Sequence, residues 1–196
     1  MVTRRAFVLG AAAFAAIRGA RADEARIAEA RAWPMLREGG LVILMRHAST
    51  EPGLGDPRHF RVGDCATQRN LSEAGRAEAR RVGERFREER VPVARIYTSP
   101  WCRCRETAML AFGKAEDWEP LSSFFDFPDR EAEMTAAVKR RIATYARRKP
   151  AGNVVMVTHN VNIAALSRRS VAQAEIVLMR PEGCCDARVL GQLKVG

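Results

Sequence analysis

The sequence predicts an α/β fold, a three-layer sandwich with a mostly parallel central sheet and helices on both faces. Three observations carry that prediction. The wholly apolar runs at residues 41–45 (LVILM) and 154–157 (VVMV) have the pattern of strands buried on both sides. Longer segments of helical period alternate with these strands, as in βαβ units. No repeat or low-complexity linker divides the chain, and 196 residues suit one domain with a substantial core.

The elements follow in order. Residues 23–40 are patterned as a helix, interrupted or bent at Pro34 and stopped by Gly39 and Gly40. Strand one is 41–46. A long loop, 47–70, carries the Gly, Pro and Asp punctuation of EPGLGDP. Residues 71–90 form a helix with Ser72 as its N-cap. Residues 94–99 are the second strand, and Pro100 is placed to start the helix 100–112. A short strand near 118–121 leads into the loop SSFFDFPD. A long amphipathic helix at 130–148 ends before Pro150 and Gly152. Strand 153–158, helix 160–168 and two closing strands, 174–180 and 186–193, complete the chain.

The first 22 residues are set apart from this domain. Arg4 and Arg5 precede an apolar run from Ala6 to Ile17, and Ala20-Arg21-Ala22 has small-x-small spacing. The run is too short to span a bilayer and has the layout of an export signal. The order TRRAFV resembles a bacterial twin-arginine signal, which implies export of a folded protein to the periplasm, with no stable membrane anchor after cleavage. Residues 23–196 are then the mature domain. Cleavage removes four arginines and no acid, taking the net charge from +10 to +6. The remaining excess is spread over helix faces such as RAEARRVGERFREER, and aromatic residues make up only 7% of the chain. A clustered basic stripe and stacking platforms are both missing, so nucleic acid is not the expected partner.

Five cysteines, Cys65, Cys102, Cys104, Cys184 and Cys185, would meet an oxidising compartment. Neither C-x-C nor the adjacent pair has zinc spacing, and three histidines are too few to complete a site, so no metal or cofactor is expected. Cys65 is expected to pair with Cys102 or Cys104, because both segments should border one pocket.

That pocket is read from the strand ends. Strand one ends in Arg46-His47, the second runs into SPWCRC with Arg103, and strand 153–158 ends in Thr158-His159-Asn160. Ligands of open α/β sheets bind beyond the carboxyl ends of strands. Two arginines and two histidines converging there suit a phosphoryl group: guanidinium forks match its oxygens, and a neutral imidazole attacks phosphorus. Alone, His47 reads as a capping histidine and Arg103 as a helix-face charge; together they read as a site.

The set LMRHA, LSEAGRAEA, SPWCRCRETA and VVMVTHNVNIAAL, spanning about 41–166, resembles the histidine phosphatase superfamily, the relatives of phosphoglycerate mutase. The resemblance implies that His47 is the nucleophile that becomes phosphohistidine. It implies that Arg46 and Arg103 bind phosphate, and that His159 binds it and stabilises the transition state. Thr50 stands where many members place a hydroxyl lining the pocket, and Asn160 is carried as a further substrate contact. It also implies a small phosphorylated substrate. The chain departs from the pattern at Ala48, where glycine is usual, at Gly53, where mutase-type members have asparagine, and at Glu106, often glutamine. The proton donor departs most. Ser123 takes the place of the mutase-type glutamate and Asn160 that of the acid-phosphatase aspartate. Asp126 is then the nearest carboxyl on the right loop, with Glu51 and Asp64 as rivals. The alternatives to an exported phosphomonoesterase are a catalytically weak periplasmic binder of phosphorylated ligands and, from charge alone, a nucleic-acid or anionic-surface binder. Phe124, Phe125 and Phe127 read either as a substrate wall or as a lid on the core, Trp101 and Trp118 as core, and His59 as an exposed loop residue.

Overall fold

The computed structural model describes residues 27–148, 150–183 and 186–195. The export-signal reading and the pair Cys184–Cys185 lie outside those residues. The described chain runs α1 (Glu29–Glu38), β1 (Val42–Arg46), α2 (Glu73–Glu88), β2 (Val93–Thr98), α3 (Cys102–Phe112), β3 (Glu116–Asp117), α4 (Glu131–Arg147), β4 (Asn153–Thr158), α5 (Asn160–Ser167), β5 (Ile176–Glu182) and β6 (Asp186–Leu193). Short 3-10 turns occupy Cys65–Thr67, Glu119–Leu121 and Pro128–Arg130.

The six strands are ordered β3-β2-β4-β1-β5-β6. The first four are parallel, β5 is antiparallel to β1, and β6 is antiparallel to β5. The apolar runs of β1 and β4 are explained by this central position, since successive side chains enter opposite layers. Ile43, Met45, Val155 and Val157 pack with Trp33 and Leu36 of α1, Val82 and Phe86 of α2, and Ala108 of α3. Val42, Leu44, Val154 and Met156 pack with Val138 and Ile142 of α4 and Ile163 of α5. The three-layer sandwich is therefore as the sequence predicts, and no described helix is long and apolar enough to cross a membrane.

Three local expectations are corrected. Helix α1 continues through Pro34 and is not interrupted there. Proline forfeits one backbone hydrogen bond, and the burial of Trp33 and Leu36 on the same short helix offsets that loss. Helix α3 starts at Cys102, two residues after Pro100, because Trp101 stays extended at ψ 136° while its N–H donates to Ser99 Oγ. The edge strand β3 lies at Glu116–Asp117, and 119–121 form a 3-10 turn. Pro120 has no N–H to contribute to a ladder. Ser72 caps α2 as expected, accepting from the Gly75 N–H at 3.1 Å.

Candidate active site

The histidine pair is placed by strand register. Arg46 of β1 and Thr158 of β4 are paired across the parallel ladder, so His47 and His159 each follow directly beyond it. The His47 N–H continues that ladder to the Thr158 carbonyl at 3.0 Å. The two rings lie 5.4 Å apart between centroids and are inclined at 64°, and both residues are buried.

Hydrogen bonds fix the tautomers. His47 Nδ1 meets the Ala48 carbonyl at 2.9 Å. A carbonyl only accepts, so Nδ1 carries the hydrogen and Nε2 keeps its lone pair. His159 Nδ1 lies 3.5 Å from Arg103 Nη2, which only donates, so His159 donates from Nε2 to Ser99 Oγ at 2.9 Å. Burial pushes His47 down to about 3, aided by the Arg103 charge, and the Ala48 bond opposes this only in part. Burial and then Arg103 also lower His159 well below the ordinary histidine range. Both rings are neutral at physiological pH.

Ala48, beside the candidate nucleophile, is held by the neighbouring motifs. Its N–H donates to Thr107 Oγ1 at 3.0 Å, and that hydroxyl donates to the Arg103 carbonyl. Ser49 donates to Glu78 through both N–H and Oγ, at 2.9 Å each, and its carbonyl accepts from the Ser72 N–H. Gly75 permits this approach: a Cβ there would stand 1.8 Å from the Ser49 carbonyl oxygen. The glycine of LSEAG is thus a packing requirement of the site.

Three guanidinium groups line the pocket. Arg46 is anchored by a bond from Nη1 to the Val171 carbonyl at 2.8 Å. Arg103 donates from Nη1 to Asp56 Oδ1 at 2.7 Å, within a buried pair. Arg69 donates from Nη1 to the Gly53 carbonyl at 2.7 Å. Burial and the charges of their neighbours lower both Arg46 and Arg69. Each of the three arginines also has a buried Nε without a hydrogen-bond partner. Donors of this kind suit an oxyanion held at several points.

Asp56 organises the cations. Its Oδ1 also accepts from the Arg69 N–H, and its Oδ2 from Trp101 Nε1. Burial pushes the carboxyl up, but the Arg103 hydrogen bond and charge prevail and hold it below its usual value. Cys65 and Cys102 form a disulfide that ties the long loop to the start of α3, one residue before Arg103. This is one of the two pairings expected. Gln68 reinforces the join by accepting from the Cys102 N–H. Cys104 is a free, buried thiol whose pKa burial raises to about 12, so it is not a nucleophile at neutral pH.

The open pocket, about 200 Å³, is lined by Arg46, His47, Arg103, His159 and Asn160, as the sequence suggests, and by Asp126 and Ser123. Asn160 reaches it while its side chain bonds Ser170 and the Val171 N–H. Thr50 is not among the lining residues; it bridges to Leu71 and accepts from Gln173 at 3.4 Å. Of the three candidate carboxyls only Asp126 lines the pocket. Glu51 is exposed, and Asp64 caps the Cys65–Thr67 turn and pairs with Arg61. Trp101 is buried, but its indole is also a ligand of Asp56; Trp118 is half-buried against the α4 side. Phe124 is core, while Phe125 and Phe127 are exposed. Arg69 and Asp56 are the residues sequence reasoning missed. Among the described residues, no group of three or more His, Cys, Asp or Glu is clustered to hold a metal.

Known proteins share the fold, and a family model matches part of the chain. Residues 42–124 match the model of the histidine phosphatase superfamily (branch 1), a stretch that holds Arg46, His47 and Arg103 and stops short of His159. The fold is shared with the protein histidine phosphatase SixA in its tungstate complex, at 16% identity and a TM-score of 0.58, covering 79% of this chain and 96% of that one. It is shared equally with a mycobacterial glucosyl-3-phosphoglycerate phosphatase, at 16% identity and 0.58, covering 80% and 99%. Phosphoglycerate mutase from Thermus thermophilus aligns at 18% identity and 0.50, covering 80% and 99%. No protein of curated function matches the sequence. Fold and site define a phosphatase-type enzyme of α/β architecture. Over residues 42–124 the chain is similar to the histidine phosphatase superfamily, branch 1, and its fold is shared with the solved structures named above.

Proposed function

We propose that this chain is an exported, metal-independent phosphomonoesterase that works through a phosphohistidine on His47. The observation that carries the reading is the bond from His47 Nδ1 to the Ala48 carbonyl, which leaves Nε2 unprotonated in a pocket of three arginines. A neutral imidazole held in one tautomer needs no base to become a nucleophile. Arg46, Arg69 and Arg103 take the non-bridging oxygens and carry their charge through the transition state. Nε2 forms a bond to phosphorus while the ester P–O bond breaks, and the departing alcohol takes a proton from the Asp126 carboxyl. Asp126, now ionised, accepts a proton from water as that water attacks the phosphohistidine. Inorganic phosphate leaves and His47 returns to its neutral form. His159 lines the same pocket opposite His47, held there by Ser99 and Arg103, and contacts the phosphoryl group as its charge develops. The substrate is a small phosphomonoester, and the twin-arginine pattern at Arg4-Arg5 directs the folded enzyme to the periplasm.

A chromogenic aryl phosphate tests the activity. Turnover is expected to survive chelation and to fall at least about a thousandfold in His47→Ala. Turnover that persists in the variant would refute the mechanism. Cell fractionation of an Arg4→Lys, Arg5→Lys double variant tests the export route, and retention in the cytoplasm is the expected result.

A further inference from the structure

The described chain exposes four large hydrophobic side chains, Leu54, Met109, Phe125 and Phe127, and two of them, Leu54 and Phe125, line the catalytic pocket. Leu54 is 87% exposed. It stands at a loop tip between Gly53 and Gly55, whose φ angles of +136° and +69° suit glycine and let the chain reverse there. Both sides of the tip are fixed to the cationic floor. The Gly53 carbonyl accepts from Arg69, and Asp56 binds Arg103 and Trp101. Leu54 is therefore held over the pocket despite its exposure.

Phe125 faces the same opening from the loop before α4. A Cβ placed on Gly55 would lie 3.7 Å from the Phe125 ring and 3.9 Å from Asp126 Oδ1, so the two loops meet at the rim. Their base is braced by aromatic contacts: Phe60 lies 5.8 Å from Trp101 and 6.4 Å from Phe127. The pocket thus has a guanidinium floor and a braced apolar rim, with a single carboxyl, Asp126, on the rim.

A phosphomonoester bound with its phosphoryl group on that floor projects its alcohol part outward between the two apolar side chains. We propose, building on the phosphomonoesterase reading, that the enzyme selects monoesters whose alcohol part is apolar, with Leu54 and Phe125 as the specificity-determining contacts. Burial of that part against the rim removes apolar surface of both ligand and protein from water.

An alkyl phosphate series from ethyl to hexyl tests this, because the alcohols differ in apolar length and hardly in acidity. kcat/KM is expected to rise about two- to threefold per methylene, a partial share of full burial. Leu54→Ser and Phe125→Ser are each expected to bring the hexyl-to-ethyl ratio towards one, with circular dichroism confirming the fold. A flat series in the wild-type enzyme would overturn the proposal. If no ester turns over, the phosphomonoesterase reading fails separately. Calorimetric binding of ethyl and hexyl phosphonate then decides on the rim: tighter hexyl binding supports it, and equal binding ends it.

Discussion

Arg103 and Asp56 form an ion pair at 2.7 Å in which both side chains are buried, joining the start of α3 to the long loop after β1. Asp56 touches none of the atoms proposed to react. It fixes the direction of a guanidinium that does, and it shares that carboxylate with the Arg69 N–H and the Trp101 indole. Removing one partner of a buried pair leaves an uncompensated charge, which typically costs about 3–5 kcal/mol. Asp56→Ala is expected to lower urea stability by that order. Asp56→Asn, which keeps the shape, should fold and show a raised KM and reduced kcat as Arg103 loses its direction. An unchanged kcat/KM in Asp56→Asn would remove Asp56 from its positioning role.

The Cys65–Cys102 bond closes across a sequence separation of 37 residues. Chain-entropy arguments put its stabilisation at about 3–4 kcal/mol for a loop of that size. Reduction, or Cys65→Ser, is expected to lower the urea midpoint and loosen the contacts of Gln68 and Asp56 around Arg103. Equal unfolding curves with and without a dithiol reductant would contradict this.

Acid should destabilise the fold through the histidine pair. Burial carries His47 from an ordinary value of 6.5 down to about 3, and His159 shifts in the same direction. Between those values the unfolded chain binds protons that the folded chain excludes, so stability rises with pH across the window. The loss therefore begins as pH falls below 6.5 and levels off beneath about 3, reaching on the order of 5 kcal/mol for His47. Unfolding free energies measured across that range should show the slope, and His47→Asn should make it shallower.

Gly75→Ala adds a methyl where the Ser49 carbonyl oxygen already stands, 1.8 Å from the ideal Cβ. Backbone has to move, and overpacking of this kind costs about 1–3 kcal/mol. Because Ser49 lies two residues beyond His47, kcat/KM is expected to fall together with Tm. A variant as active and stable as the parent would show that α2 can retreat without disturbing His47.

The legible parts of the molecule are those whose signal is local. β1 and β4 announce themselves because a strand covered on both faces needs apolar side chains at every position. The polar residues that end them, Arg46-His47 and Thr158-His159, stand out against those runs. Asp56 does not stand out: within EPGLGDP it reads as turn punctuation, and its partners lie 13 to 47 positions away. Arg69 is hidden among 33 basic residues, and only the folded loop turns it towards the pocket. The motif residues Gly75 and Thr107 are visible as a pattern, but their task of clamping residues 48 and 49 depends on how α2 and α3 meet that backbone. The start of α3 is hidden for a related reason, since Trp101 stays extended, with its N–H on Ser99 and its indole on Asp56, and caps the helix only through its carbonyl.

The proposed mechanism places the phosphoryl group on His47 Nε2 during turnover. Rapid quenching into alkali during hydrolysis of a phosphomonoester, followed by peptide mass spectrometry, tests it directly. The expected result is an acid-labile phosphoryl group on the peptide containing residue 47, absent from the His47→Ala protein. Phosphorylation at any other residue, or rapid turnover with no labelled peptide at any quench time, would contradict it.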